Sequence, residues 1–275
     1  MMTKPTDKEK PSTALAPVKT LAPLSAEEME LMQGDFGAGL ENVDMRDMVI
    51  PYVKIIQQLS PELNPRKSEF IEGLQIGQFL NSATKQVFDS LHVIPVAYRR
   101  RNVEWKPNRG GFVKDWGDDE RIVSACKKDA TSNALITPDG NVLQVQGCFF
   151  CLEVSGPIPQ RMVISLASTQ FQHSKEWITK IKGELVPAQT PTGVALVNPP
   201  IWYRSYKCEA QPESNDRGDW MGWKIVSAEK TVDLPEGRMF YNMARDFMSA
   251  VKSGEVQAAV DEGDVQTRNS EDIPF

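Results

Sequence analysis

Along most of the chain, short apolar runs alternate with turn-forming residues. From about Phe70 onward this pattern predicts strands more often than helices. Phe79-Leu80 and Val87-Phe88, separated by a polar turn around Ser82 to Lys85, read as a hairpin. Leu91 to Trp105 reads as one long extended segment, Pro107 to Gly111 as a turn, and Phe112 to Trp116 as the returning strand. Asp139-Gly140 marks another turn before Val142 to Val154, the longest apolar β segment, and Met162 to Leu166 is a further strand. Ile201 to Cys208 and Trp220 to Ala228 read as two aromatic strands. Helical spacing predicts Thr169 to Lys182 and Pro235 to Ser253. In the second, Phe240, Met243, Ala244, Phe247, Met248 and Val251 form one face and Gly254 is the stop. Ser25 with Glu28 predicts a capping box for a short helix, Ala26 to about Met32. Ile50 to Leu59 fits either a strand or one face of a helix.

These elements imply an α+β, β-dominated domain over about 45–254. A Pro-rich tail, 1–24, and an acidic tail, 255–275, would flank it as disordered segments. The chain has 275 residues, 40% of them hydrophobic, which is enough for a real core. No apolar run is long enough to span a membrane, and the N-terminus has no apolar secretory segment. Four cysteines in such a length do not make a disulfide scaffold, so a soluble protein of a reducing cytoplasm is expected. The net charge of −6 argues against a nucleic-acid partner until its placement is considered. Residues 255–275 hold Glu255, Asp261, Glu262, Asp264, Glu271 and Asp272 against Arg268 alone. Residues 98–114 hold Arg99, Arg100, Arg101, Lys106, Arg109 and Lys114 against Glu104. A basic patch and an acidic tail on one chain are more informative than the total.

The acidic tail ends in Glu271-Asp272-Ile273-Pro274-Phe275. Such an end can place an aromatic ring in a small pocket with its carboxylate on a basic rim, while Pro274 limits the flexibility lost on binding. It resembles the C-terminal tip of bacterial single-stranded DNA-binding proteins. The resemblance implies docking of host or phage replication, recombination and repair proteins, and an OB-like barrel with helical additions. The order of segments differs from the bacterial family, with a Pro-rich start and no low-complexity linker, and looks more like a phage-encoded protein carrying a host-type tip. Ile50-Pro51-Tyr52-Val53-Lys54 through Ser60-Pro61-Glu62-Leu63 is similar to phage proteins of poorly defined function.

Single-stranded nucleic acid is held by cations on phosphates and rings on bases, with about 1–3 kcal/mol per stacked base. Tyr98, Arg99, Arg101, Trp105, Lys106, Arg109, Phe112, Lys114 and Trp116 have that chemistry. If Trp105 pairs with Phe112, alternation puts Arg99, Arg101 and Trp105 on one face with Phe112, Lys114 and Trp116. Trp202, Arg204 and Tyr206 would form a second cluster on a shared face, extending the groove. The competing reading is an edge hairpin whose rings pack on the core.

Cys148-Phe149-Phe150-Cys151 is a CxxC, but in a strand its two thiols point to opposite faces, so structural cysteines are expected and no metal. No Walker loop, Gly-x-Ser-x-Gly or HExxH is present, and the expectation is a non-enzyme without cofactor. The expected function is non-sequence-specific binding of single-stranded DNA, with possible homo-oligomers, no membrane, and action in the host cytoplasm. The alternatives are an adaptor or inhibitor that mimics the host tip without binding DNA, and a recombination strand-annealing protein.

Overall fold

Ser25 carries the signal that starts the first helix. Its hydroxyl accepts from the Glu28 N–H at 3.2 Å, and the Glu28 carboxylate accepts from the Ser25 N–H at 2.7 Å, closing the expected capping box on α1 (Ala26–Met32). In this computed structural model the described residues are 24–36, 38–42, 50–216, 218–254 and 256, the Arg109 side chain excepted. The chain divides into a unit of residues 1–38, which holds α1, and a unit of residues 39–275, which holds everything below. Apart from Leu24 and Val256, the two expected tails lie outside the described residues.

The larger unit is α+β and strand-dominated. In chain order it contains β1 (Tyr52–Ile55), β2 (Phe79–Asn81), β3 (Val87–Phe88), β4 (Leu91–Trp105), β5 (Phe112–Asp115), α2 (Glu120–Ala125), β6 (Lys127–Lys128), β7 (Leu135–Ile136), β8 (Val142–Glu153) and β9 (Gln160–Ala167). Then follow α3 (Phe171–Gly183), β10 (Val186–Thr190), β11 (Gly193–Val197), β12 (Arg204–Asn215), β13 (Gly218–Lys230) and α4 (Gly237–Ser253). The expected strands and both long helices are present. The open segment before Leu59 is a strand, β1. Ile201–Tyr203 is a 3-10 turn where a strand was expected, and α2, β6, β7, β10 and β11 lack a clear sequence signal.

One sheet runs β13-β12-β4-β8-β9-β1-β2-β3, with β5 added to β4, β7 to β8 and β6 to β7. All its pairings are antiparallel except β1 with β9. Both faces are buried, which explains the unbroken apolar run in β8. Phe149 and Cys151 face a core that includes Val53, Phe79, Val93, Ile164, Tyr206 and Trp223, into which α3 inserts Trp177. Cys148, Phe150 and Leu152 face a second core closed by Phe240, Ala244, Phe247 and Val251 of α4. The Trp177 ring stacks on Phe149 with centroids 4.0 Å apart. Gly147 lets α3 approach this closely, since a Cβ there would lie 1.9 Å from Ser174 Oγ.

The sheet curls into a half-barrel until its far strands meet. Phe79 of β2 packs on Trp223 of β13 with centroids 4.9 Å apart. Just beyond β1, the Gln57 amide donates to the Met221 carbonyl and accepts from the Met221 N–H, both at 2.9 Å, so one side chain stands in for a strand pairing. Gln170 accepts from the Trp223 N–H and Lys180 donates to the Ile225 carbonyl, which occupies more of the same β13 edge.

Helix α4 ends at Gly254 with φ +81, the left-handed conformation that favours glycine. The core does not end there. Val256 is buried in the α4 cluster, so the packed region extends into the segment expected to be tail.

Candidate nucleic-acid interface

The β4–β5 hairpin forms around the turn Pro107–Arg109 and Gly110-Gly111, with Lys106 N–H donating to the Gly111 carbonyl at 2.9 Å. Trp105 pairs with Phe112, as expected from the sequence, but the next pair is Glu104 with Lys114. The register skips Val113, and this β-bulge reverses every face beyond it. The single face expected for Arg99, Arg101 and Trp105 with Phe112, Lys114 and Trp116 therefore does not form.

The two faces instead have separate roles. Arg101 is buried, donates from Nε to Asp115 at 2.9 Å and from Nη1 to the Tyr52 hydroxyl at 2.8 Å. Arg99 donates to the Val251 carbonyl at the end of α4 and lies 5.8 Å from the Phe150 ring centroid. On the opposite face, Tyr98 packs on Phe149 with centroids 4.9 Å apart. Further along that same face, Glu104 is 3% exposed and accepts from Trp116 Nε1 at 2.8 Å, Asn141 Nδ2 at 2.8 Å and Thr137 Oγ1 at 3.0 Å. Burial alone would raise its pKa, but these donors, together with Lys114, hold the carboxyl below its ordinary value. The hairpin is thereby tied to the loop before β8.

Three acidic residues that follow the basic run are paired. Asp115 binds Arg101, Glu120 lies 3.3 Å from Arg100, and Asp119 forks onto Arg121, which with the Arg121 backbone N–H pulls its pKa down to about 2.

The second cluster is also dispersed. Trp202 sits in the 3-10 turn against Tyr241, with centroids 6.1 Å apart, and packs on the α4-side core. Tyr206 is buried in the opposite core against Trp177, where burial pushes its hydroxyl up to about 12. Arg204 forks onto Glu184 and donates to the Ala228 carbonyl at 2.8 Å. These three side chains do not share a face, because the 3-10 turn and a bulge between Arg204 and Tyr206 break the alternation.

Lys106, Phe112 and Lys114 are exposed, and Trp116 is half-exposed under Lys114, whose Nζ lies 3.6 Å from the ring centroid. Cross-strand register adds cations that a linear reading misses. Lys127, Ile136, Val142, Trp105 and Phe112 form one row across β6, β7, β8, β4 and β5. Lys128, Leu135, Leu143, Glu104 and Lys114 form the next row. Paired positions share a face, so Lys127 lies at the far end of an apolar strip that finishes in Phe112, about 20 Å across four inter-strand spacings. The Arg109 side chain, and Glu271, Asp272, Ile273, Pro274 and Phe275, lie outside the described residues.

Residues 19–257 match the family described as Pam3 phage gp34-like protein. The chain belongs to that family. No curated protein and no solved structure matches it. The family description is that of a phage protein, in agreement with the phage-type reading of the sequence.

Cys148 and Cys151 lie in opposite cores, as strand geometry requires, and burial pushes the thiols of Cys148, Cys151 and Cys208 above their ordinary value. Among the described residues no group of three or more His, Cys, Asp or Glu could hold a metal ion, and no helix is long and apolar enough to cross a membrane.

Proposed function

We propose that this is a phage-encoded protein that binds single-stranded DNA without sequence preference, serving replication, recombination and repair in the host cytoplasm. The observation that carries the reading is the exposed Phe112, edge-on to Trp105 at 5.8 Å, at one end of an apolar row that has Lys127 at the other. A base stacks on Phe112 while Lys127, on the same face, and Lys106, at the turn, meet phosphates. The curled sheet acts as an OB-like platform, although a five-stranded OB barrel is smaller than this one. The acidic segment Glu271-Asp272-Ile273-Pro274-Phe275 docks a partner enzyme, and the acidic residues before it compete with DNA for the lysines.

Anisotropy of a labelled oligo-dT at low and moderate salt, with a duplex control, tests the reading. Single-strand binding weakened by salt is expected. Phe112→Ala should lower affinity about tenfold or more, the scale of one lost stacking contact. Deletion of 257–275, which spares Val256, should raise affinity at low salt. Absence of binding at low salt by either the full chain or the truncated one would sink the proposal. The internal pairing of Arg99, Arg101 and Arg204 favours a second reading, an adaptor that docks through its acidic tip without DNA. Capture of a partner by the tip peptide, with no DNA binding, would support it.

A further inference from the structure

Strands β10 and β11 form a two-stranded ribbon that, among the described residues, pairs with no other strand. Such a ribbon is marginal in water unless a further strand or a covering layer completes it. Its base is anchored, because Asn198 Nδ2 donates to the Lys182 carbonyl at 2.9 Å and to the Glu184 carbonyl at 2.8 Å. Its surface is apolar and uncovered. Val194 is 71% exposed and Leu196 66%, and Leu185 is also exposed. Residues 185–203 contain no charged side chain, in a protein of net charge −6.

The edges of the sheets are not equally open. Gln57, Gln170 and Lys180 occupy the backbone of β13. Strand β5 is bulged and carries Lys114 and Asp115, β6 is two lysines long, and β3 is two residues long. Each of these is a device that discourages strand addition. In the ribbon, Pro187 has no N–H, so its pair with Leu196 is one the ladder does not use, and Pro187 blunts the outer edge of β10. The same alternation turns the N–H and C=O groups of Val194 and Leu196 outward from β11. Among the described residues β11 is the strand edge that carries neither proline, charge, bulge nor side-chain clamp.

We infer that β11 pairs antiparallel with β11 of a second copy of this chain, about a two-fold axis at Ala195. The sequence Gly193-Val194-Ala195-Leu196-Val197 is self-complementary in that register. Val194 of one copy faces Leu196 of the other, their outward N–H and C=O groups pair reciprocally, and the small Ala195 meets itself at the axis. Val194, Leu196 and Leu185 of both copies then line one face of a four-stranded sheet. An isologous contact brings each side chain near its own copy, so an uncharged strip is what a two-fold interface in an acidic protein needs. The strip is smaller than a standard interface, so the dimer is weak and concentration-dependent.

Sedimentation of the full chain from micromolar to near-millimolar concentration reads the association. Val194→Pro removes an outward N–H without touching the ribbon's own ladder, and Leu196→Lys places like charges across the axis. Each should weaken dimerisation about tenfold or more, by losing main-chain hydrogen bonds or adding repulsion. Ala195→Cys in a Cys126→Ser background should give a disulfide dimer on mild oxidation, because a non-hydrogen-bonded antiparallel pair holds its Cα atoms about 4.5 Å apart. Gln189→Cys, on the other strand, should not. A monomer throughout the range, dimerisation unaffected by Val194→Pro, or equal cross-linking at 189 and 195 would overturn the inference. The monomer result would leave the edge to a different protein.

Discussion

Gln57→Ala tests whether the curled sheet is held closed by a side chain. The Gln57 amide makes two hydrogen bonds of 2.9 Å to the Met221 main chain, joining the region after β1 to the outer edge of β13. A typical protein hydrogen bond contributes about 1 kcal/mol net, and a donor or acceptor stranded away from water costs more. Met221 is half-buried, so water reaches its freed groups only in part. The expected loss is about 2–3 kcal/mol, a large share of the roughly 5–15 kcal/mol that stabilises a folded domain. For a unit of this size that is a fall of about 5–10 °C in Tm. Urea unfolding should show a lower midpoint with an unchanged slope, and the Met221 amide should exchange faster with solvent. Gln57→Asn, one methylene short, should behave like the alanine variant. Stability within about 0.5 kcal/mol of the parent, with the Met221 amide still protected, would refute the closure argument. DNA affinity should be unchanged in the folded variant, because the proposed interface lies at the opposite end of β4 and β8.

Two further substitutions test the supports of the site. Gly147→Ala drives a methyl into Ser174 and should cost about 1–3 kcal/mol by denaturant unfolding, partly recovered by adding Ser174→Gly; an additive double variant would refute the contact. Glu104→Gln turns an amide donor toward one of its three donors and should cost about 1–3 kcal/mol at neutral pH. The folded-state pKa of Glu104 is depressed, so its contribution is complete above the unfolded value near ~4.3 and is lost as pH falls through the folded one. The gap between parent and variant should therefore close on acidification, and a gap constant from pH 7 to pH 3 would contradict the assignment.

Local patterns made several elements legible. The Ser25–Glu28 box, the apolar face of α4 and its Gly254 stop, and the Trp105–Phe112 pairing all follow from chemistry within a few residues. The ribbon has no clear local signal, because Pro187, Pro191 and Gly193 interrupt its alternation, and β6 and β7 are only two residues each. The candidate site was legible in composition and not in geometry. One skipped residue, Val113, sent Lys114 to the Glu104 face, and no periodicity in the sequence announces a bulge.

The sequence by itself determined roughly where the longer strands of the main sheet and the two long helices run, that both sides of β8 are apolar, and which residues carry positive charge. Those properties arise from side-chain periodicity and turn chemistry, which act over a few positions. Only the tertiary structure decided which cations are free. Arg99 caps α4, Arg101 reaches Asp115 and Tyr52, and Arg204 reaches Glu184, while Lys127 comes into line with Phe112 from four strands away. Each of those outcomes depends on partners distant in sequence or on a shifted register. A charge is spent or exposed according to the neighbour the fold delivers, and that neighbour is set by sheet order and helix packing.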